Sequence, residues 1–440
     1  MAAVDASIYE NITLQSNDQS QDVDLRLGVS VIEYWESILS PTITAKIEVI
    51  NTGDSIAGKD GKLQSIYNGL PLRGGERLAL KIAPNSETNK GLDFSIDPHD
   101  YLHVDRIENV ISNQQTESFD LHLVSREAIT NETTRVPEKF PTSSTIDASV
   151  EKILDEYLKT EKDKFIDETS NKYGFIGNLR KPFNLITWLA SKAVPKESED
   201  ATAGFLFYQT QDGYHFRSVD DLIKQEPKAE YLYTEVNKSS IDRNNDFNIL
   251  RYNTVVNQNL LEKLRLGVYS SFVATYDPAS SEFSLPQQGE YKLEKYAGKA
   301  KNLGKVLDLP PIEQGSDETL GDIPSRLMTA VLDRGIIEKE SVLTETNADP
   351  MKYQFQSVMR YNVLGTQQLN MTIPLNTNLR PGDIIKCNFP RISRGGQEID
   401  DEQSGLYMIK DLCHRFDSDS SQTGMVLVRD TFGLYGTNNK

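Results

Sequence analysis

The sequence is poor in the residues that catalysis and secretion usually require. Only two cysteines, Cys387 and Cys413, stand in 440 residues. They are too few for a disulfide framework, and one bridge is the most they allow. The simpler expectation is two small half-buried thiols in a reducing cytoplasm. No run of about 18 apolar residues occurs, so no helix is expected to span a bilayer and no membrane insertion is expected. Met1 to Glu10 has neither a basic nor an apolar stretch, so it is not expected to act as a secretory signal. An arginine-rich stripe is absent too, and the formal net charge is −18. Such a chain repels phosphate backbones, which disfavours ordinary nucleic-acid binding. The nearest thing to a basic cluster is Lys292, Lys295, Lys299, Lys301 and Lys305.

Active-site patterns are missing as well. The five histidines are His99, His103, His122, His215 and His414. His99 and His103 have helical metal-ligand spacing, but Pro98 precedes them and the residues that follow read as strand. On a strand, positions four apart lie about 13 Å from each other, too far to share an ion. Cys413 and His414 are sequence neighbours that face opposite sides of one strand. No Gly-x-Ser-x-Gly elbow is present. The double glycines in Arg73-Gly-Gly-Glu and Arg394-Gly-Gly-Gln lack the Gly-Lys-Ser/Thr of a phosphate loop and read as hairpin turns. Trp35 and Trp188 sit in apolar context, which points to core rather than to a sugar platform. No catalytic residue, metal ligand or cofactor is expected.

What is present is β pattern. Val29–Tyr34, Ile43–Ile50, Arg77–Ile82, Leu102–Val110 and Ser118–Ser125 alternate apolar with polar residues, separated by Asn51-Thr-Gly, Asn68-Gly and Gly74-Gly. They predict a compact antiparallel barrel or sandwich. The period then changes: Ala148–Lys159, behind Ser144-Thr-Ile-Asp, and Phe183–Ala193 read as helices. Gly204–Thr210 and Tyr214–Ser218 flank Gln211-Asp212-Gly213 as a hairpin, and Val219–Ile223 reads as a short helix. Leu309 to Asp322, with Pro310-Pro311 and four acidic residues, reads as an exposed connector. Lys352 to Arg429 reads as strongly β, with strands at Gln367–Ile373, Ile384–Phe389, Leu406–Ile409 and Met425–Val428. Between the first two of these strands, Asn378-Leu-Arg-Pro-Gly-Asp383 predicts a type II turn. Pro381 fixes φ, Gly382 accepts positive φ, and Asp383 closes it.

Four segments carry a resemblance when taken in order: Leu369-Asn-Met-Thr-Ile-Pro-Leu, Asn378-Leu-Arg-Pro-Gly-Asp-Ile-Ile, Gly405-Leu-Tyr-Met-Ile-Lys-Asp-Leu-Cys-His-Arg-Phe and Thr423-Gly-Met-Val-Leu-Val-Arg-Asp. They resemble the second tube barrel of baseplate central hub proteins of T-even-like contractile-tailed phages. Ile66-Tyr-Asn-Gly-Leu-Pro-Leu-Arg-Gly-Gly-Glu-Arg and Phe119-Asp-Leu-His-Leu-Val-Ser-Arg-Glu resemble the first. Leu222-Ile-Lys-Gln-Glu-Pro resembles the middle of such chains, and the whole looks most like hubs of cyanobacterial phages. Segments 131–180 and 270–350 lie outside the resemblance.

The resemblance implies a mainly β chain with a smaller α+β portion. Two antiparallel tube-type β-barrels are joined by a mixed helical and strand middle domain. The expected limits are 1–127 for the first barrel, 128–203 for the middle domain and 204–265 for further strands of the second barrel, from about 204–218. Residues 266–349 are then a mixed insertion with an acidic linker, and 350–440 the second barrel and tail. Pro381, Gly382 and Asp383 become the structural turn of the second barrel. The implied role is a non-enzymatic virion protein, assembled in the host cytoplasm and located in the tail baseplate. It is a homotrimer with pseudo-sixfold symmetry between the hexameric tail tube protein and the trimeric spike protein, beside wedge or hub-associated proteins. Genomic DNA passes through without specific binding, so Asp, Glu and uncharged polar residues are expected to line the path, with few unpaired cations. The competing expectation is a receptor- or carbohydrate-binding tail protein, with aromatic residues clustered on exposed loops.

Overall fold

The computed structural model describes residues 3–52, 55–57, 61–86, 89–196, 202–234, 246–278, 280–284, 290–293, 302–305, 309–334, 346–348, 350–391 and 398–433. Three lysines of the basic cluster (Lys295, Lys299, Lys301) and the second double glycine lie outside them. The chain is mainly β, with antiparallel pairing dominant.

The first part runs β1 (Tyr9–Gln15), β2 (Asp22–Asp24), β3 (Val29–Ser37), β4 (Thr44–Thr52), the short β5 (Ile56–Ala57) and β6 (Leu63–Gln64), and α1 (Ile66–Gly69). It continues with β7 (Arg77–Ile82), β8 (Leu92–Phe94), β9 (Leu102–Ser112) and β10 (Thr116–Val124). Alternation does what it should: in β3, Ile32, Tyr34 and Glu36 are buried while Glu33, Trp35 and Ser37 face out. Ile12 and Leu14 of β1 share one apolar core with Ile32 of β3 and Phe119, Leu121 and Leu123 of β10, so this part of the sheet curls around its own interior. Trp35 is on the outer face, not in that core. The first double glycine is not a hairpin turn. It lies in the loop between α1 and β7, with Gly74 at φ +95° and Gly75 at φ +93°. There the amides of Arg73 and Gly74 donate to the buried Glu76 carboxylate at 2.8 and 2.9 Å. Asn68-Gly likewise ends α1 rather than forming a turn between strands.

The middle part has its own core of Val150, Ile153, Leu154, Phe183, Leu185, Ile186, Phe205 and Phe216, among others. It contains α2 (Arg126–Thr133), β11 (Lys139–Phe140), α3 (Ile146–Lys152) continued by a π-helical turn over Ile153–Leu158, β12 (Lys164–Ile166), β13 (Phe175–Ile176) and α4 (Pro182–Ala190). The hairpin β14 (Phe205–Thr210) and β15 (Gly213–Ser218) follows, then α5 (Val219–Ile223). The hairpin corrects one expectation. It pairs with β12 in a separate three-stranded sheet, not with the strands of the C-terminal part. All six residues of β14 are buried, so both its faces are covered.

The strands that do join the C-terminal part come later: β16 (Glu230–Tyr233), β17 (Asn248–Ile249) and β18 (Arg251–Val256). After α6 (Leu260–Leu266), β19 (Ser270–Asp277), β20 (Glu282–Phe283), β21 (Glu290–Lys292) and β22 (Arg326–Val331) form a four-stranded sheet. Leu309 to Asp322 turns back on itself, closed by the bridge between Pro311 and Thr319. A two-stranded pair, β23 (Asp333–Arg334) and β24 (Thr346–Ala348), comes next.

A second correction follows at α7 (Pro350–Leu364), where a β segment was expected to begin. Tyr353, Phe355 and Val363 look like strand residues by type. Yet Phe355, Met359 and Val363 recur every four positions, and all three are buried. Proline opens the helix, where its missing N–H is harmless. The chain ends with β25 (Gln367–Pro374), β26 (Ile384–Asn388), β27 (Gly405–Asp417) and β28 (Ser421–Arg429).

One strand joins the two ends of the molecule into a 15-stranded sheet. Along one edge, β27 pairs β28 from Met408 to Phe416. Along the other it pairs β26 through Gly405–Met408 and then β3 through Asp411–Asp417. The change of partner falls at a bulge between Ile409 and Asp411, a common device for re-aiming a strand. Leu412 packs in the C-terminal core and Phe416 in the N-terminal core.

Candidate functional site

Two features stand out at this seam: a buried polar junction and a charged outer face. The junction forms where the Pro-Gly-Asp turn meets β27. The Gly382 amide donates to the Ile409 carbonyl at 2.8 Å, and the Ile409 amide donates to the Asp383 carbonyl at 2.9 Å. The turn therefore occupies the stretch of β27 edge left between β26 and β3. Inside it, the Asp383 amide donates to the Arg380 carbonyl at 3.1 Å, and Gly382 has φ +90°. The Asp383 carboxylate accepts from the Arg380 amide at 2.7 Å and from Lys228 at 2.8 Å. Gln225, within the sequence stretch that resembles the middle of hub chains, donates to the Gly382 carbonyl at 3.0 Å.

Arg380 extends this turn into the other two parts of the chain. Its guanidinium holds Asp212 at the hairpin tip through Nε at 2.9 Å and Nη2 at 3.0 Å, and Gln211 through Nη2 at 3.1 Å. Such a planar two-point clasp is specific to arginine. Glu36 of β3 accepts from the Gln211 amide at 2.6 Å and from the Tyr34 hydroxyl at 2.6 Å. Turn, hairpin tip and β3 are thus bound through one polar cluster. An apolar cluster, with Ile38, Tyr208, Leu222, Ile384, Met408 and Val428, lies at the same junction.

Burial sets the charge states. It pushes the Glu36 carboxyl up to about 7, against the opposing pull of Arg380. Burial works against the charge on Arg380, yet Glu36 and Asp212 hold its pKa above the ordinary value. His414, whose ring stacks on Tyr34 at 6.1 Å between centroids, is lowered to about 3 by burial and by Arg380. It is neutral at physiological pH, with Nδ1 and the Thr423 hydroxyl 3.0 Å apart. A proton on Glu36 near neutrality is the main titration this junction offers. A second buried cluster joins α7 to α5, with Arg360 2.6 Å from Asp220 and Thr202 bonded to the same carboxylate.

The outer face carries two ladders of charge across five strands. Register places Arg415, Glu33, Lys46, His122 and Arg106 side by side, running from β27 through β3, β4 and β10 to β9. The next row is Asp417, Val31, Glu48, Asp120 and Glu108. Opposite charges meet both between the rows and within the first one. Lys46 lies 2.9 Å from Glu48 and 3.0 Å from Asp120, and His122 lies 3.1 Å from Glu108. Arg106 lies 3.3 Å from Glu108 and Arg415 2.6 Å from Glu33. The hydrogen bond that Lys46 donates to Glu48, helped by Asp120, holds the Lys46 pKa above its usual value.

The residues singled out earlier are distributed as follows. Pro381, Gly382 and Asp383 sit together in the junction. Cys387 and Cys413 are both free thiols, Cys387 buried against Met371. His99 lies 3.4 Å from Glu161, while His103 is on β9. Among the described residues no group of three His, Cys, Asp or Glu side chains is placed to hold a metal. Trp188 packs half-buried on the middle core, with Arg180 5.2 Å from its ring centre. Glu36 and the partners of Arg380 were missed. The available signal was a carboxyl in the inward register Ile32-x-Tyr34-x-Glu36-x-Ile38.

No protein-family profile and no curated protein matches this sequence. Solved structures do match in fold. The tail protein of Neisseria meningitidis MC58 superposes with a TM-score of 0.54 at 10% identity, covering 96% of this chain and 96% of that one. The 43 kDa tail protein of prophage MuSo2 from Shewanella oneidensis gives 0.51 at 10% identity, covering 96% and 98%. An Escherichia coli component of the type VI secretion system gives 0.45 at 10% identity, covering 96% and 79%. The chain shares the fold of the first two proteins over nearly its whole length.

Proposed function

We propose that this chain is a structural protein of a contractile phage tail, the central hub of its baseplate. The carrying observation is the likeness of fold to two tail proteins over 96% of the chain. In this reading the chain is a homotrimer joining the hexameric tail tube to a trimeric spike, in the virion, beside other baseplate proteins. Its chemistry is non-enzymatic. The cyanophage-type subgroup rests on sequence resemblance alone.

Each end of the chain is read as a tube-type barrel. The order of pairings supports this for the second end: β17 pairs β16 and, one residue later, β18 pairs β25. The pairings β16–β26, β26–β27, β27–β28 and β28–β25 then lead back round to the start. In this reading the second barrel draws on β16, β17 and β18 together with β25 to β28. Fusing two barrels through β27 gives each chain two equivalent units, and three chains then present six to a sixfold tube. Closing a ring of barrels also removes strand edges that otherwise invite uncontrolled association.

The laddered outer face is proposed as the wall of the DNA path. Its cations are matched by carboxylates, which leaves little to release counterions from passing phosphates. A purified chain mixed with the trimeric spike protein tests the hub reading by mass in light scattering. A stable three-to-three complex supports it. Glycan binding by the chain, with no complex, supports the receptor-binding alternative instead.

A further inference from the structure

A cleft of about 510 Å³ opens between the tip of the β9–β10 hairpin and the corner where β6 leads into α1. Clefts of this size that take small ligands are lined mainly by apolar side chains. This one is lined by five amide side chains, three hydroxyls and one carboxylate, Glu117, with no apolar and no cationic side chain. Its walls hold their shape by themselves. At the hairpin tip the side-chain oxygen of Asn113 accepts from the Gln115 and Thr116 amides at 2.9 and 2.8 Å, and its Nδ2 donates to the Thr116 hydroxyl at 2.7 Å. At the corner Asn68 donates to the Ser65 hydroxyl at 3.2 Å.

Glu117 is the unfinished piece. The residue is only 5% exposed, yet its one partner is the Ser112 hydroxyl, 3.3 Å from Oε1, and Oε2 has none. Asn51 of β4 stands opposite it in register, but the Asn51 oxygen accepts from Ser55 and its Nδ2 does not reach the carboxylate. A carboxylate so far from water is costly unless a donor, best a cation, meets it. Glu48, on the same strand as Asn51, has Lys46 for that purpose. The bond from Ser112 is long for a hydroxyl, and Ser112 lies exposed at the mouth, so a stronger donor can displace it.

The lining selects the guest. Glu117 and a net charge of −18 repel anions. An apolar guest finds nothing to bury against, and a sugar finds no aromatic platform. A guanidinium fits on each count. It offers two parallel donors to the carboxylate and further N–H groups to the surrounding amide and hydroxyl oxygens. An acidic chain also steers basic partners towards itself.

We propose that this cleft receives a basic side chain of a partner protein, arginine before lysine, with Glu117 as its counter-ion. The inference does not rest on the hub reading. The test titrates the full chain with N-acetyl-arginine amide, followed by ligand-observed NMR. Its neutral isostere N-acetyl-citrulline amide and methyl glucoside are the comparison probes. The arginine probe should saturate with Kd on the order of 1 mM. The citrulline probe, and the arginine probe on Glu117→Gln, should bind roughly tenfold to a hundredfold more weakly. Ser112→Arg, at the exposed mouth, supplies a guanidinium from the chain itself and should weaken the probe as much. Glu313→Gln, an exposed carboxyl far along the sequence, should bind as the wild type does and so controls for general attraction to an acidic chain. Glu117→Gln should melt no lower than wild type, because the charge it removes has no counter-ion within the cleft. Equal binding of the arginine and citrulline probes would overturn the proposal. So would arginine binding unchanged in both Glu117→Gln and Ser112→Arg, or saturation by methyl glucoside alone, or by no probe.

Discussion

Replacing Gly382 is the sharpest perturbation of the junction. The residue has φ +90°, which a β-branched side chain tolerates at about 1–2 kcal/mol. A Cβ there would also lie 2.6 Å from the Tyr208 hydroxyl oxygen and 3.3 Å from Leu222 Cδ2. Relieving such an overlap in a packed region adds about 1–3 kcal/mol. Gly382→Val should therefore lose about 2–5 kcal/mol, a large share of the roughly 5–15 kcal/mol that holds a domain together. Gly382→Ala should lose less, because it lacks the second methyl groups. Changing Tyr208 to Phe removes the oxygen, so Gly382→Ala should be milder in that background by about 1 kcal/mol. Urea and thermal midpoints of the five chains, wild type, Gly382→Val, Gly382→Ala, Tyr208→Phe and the last two combined, measure this. Equal midpoints for Gly382→Val and wild type would refute the account of the turn, and equal losses in both backgrounds would refute the steric half of it.

Glu36 predicts a pH effect. Its carboxyl is raised from 4.5 to about 7, so the folded state holds a proton that the unfolded state has lost. Stability should fall as pH rises from about 4.5 to 7, by up to roughly 3 kcal/mol. Glu36→Gln should flatten that part of the stability profile, and a profile parallel to wild type would count against a buried, protonating Glu36. Arg380→Lys keeps the charge but loses the two-point clasp on Asp212, and should lower the urea midpoint by an amount equivalent to about 2–4 kcal/mol. A midpoint equal to wild type would remove Arg380 as the tie between turn and hairpin. Changing Glu48 and Glu108 to Gln and Asp120 to Asn strips the partners of Lys46, His122 and Arg106. The assembled variant should gain salt-dependent retention of duplex DNA that the wild type lacks. No gain at 50 mM salt would place the DNA path on another face.

Much of the β architecture was legible because one-sided sheets alternate. Arg77–Ile82 matches its strand end to end, and β3, β4, β9 and β10 lie within a few residues of their expected limits. Types misled where burial overrode pattern. The aromatic and β-branched residues of α7 hid a period of four, and the hairpin β14–β15 gave no sign of which sheet it would join. Sheet partnership depends on contacts far apart in sequence, such as Asp411 with Ser37, and no local pattern encodes those. The turn itself could be read from Pro381 and Gly382. Its meeting with Glu36 and Asp212 could not, because three distant segments make it.

The central claim is that this chain sits on the tail axis between tube and spike. Electron cryo-microscopy of an intact particle, with this chain built into the density, tests it most directly. The account predicts three copies around the axis, presenting six barrels to the last tube ring and one threefold face to the spike. Copies found only at the tail periphery, or in a number that is not three on the axis, would contradict it.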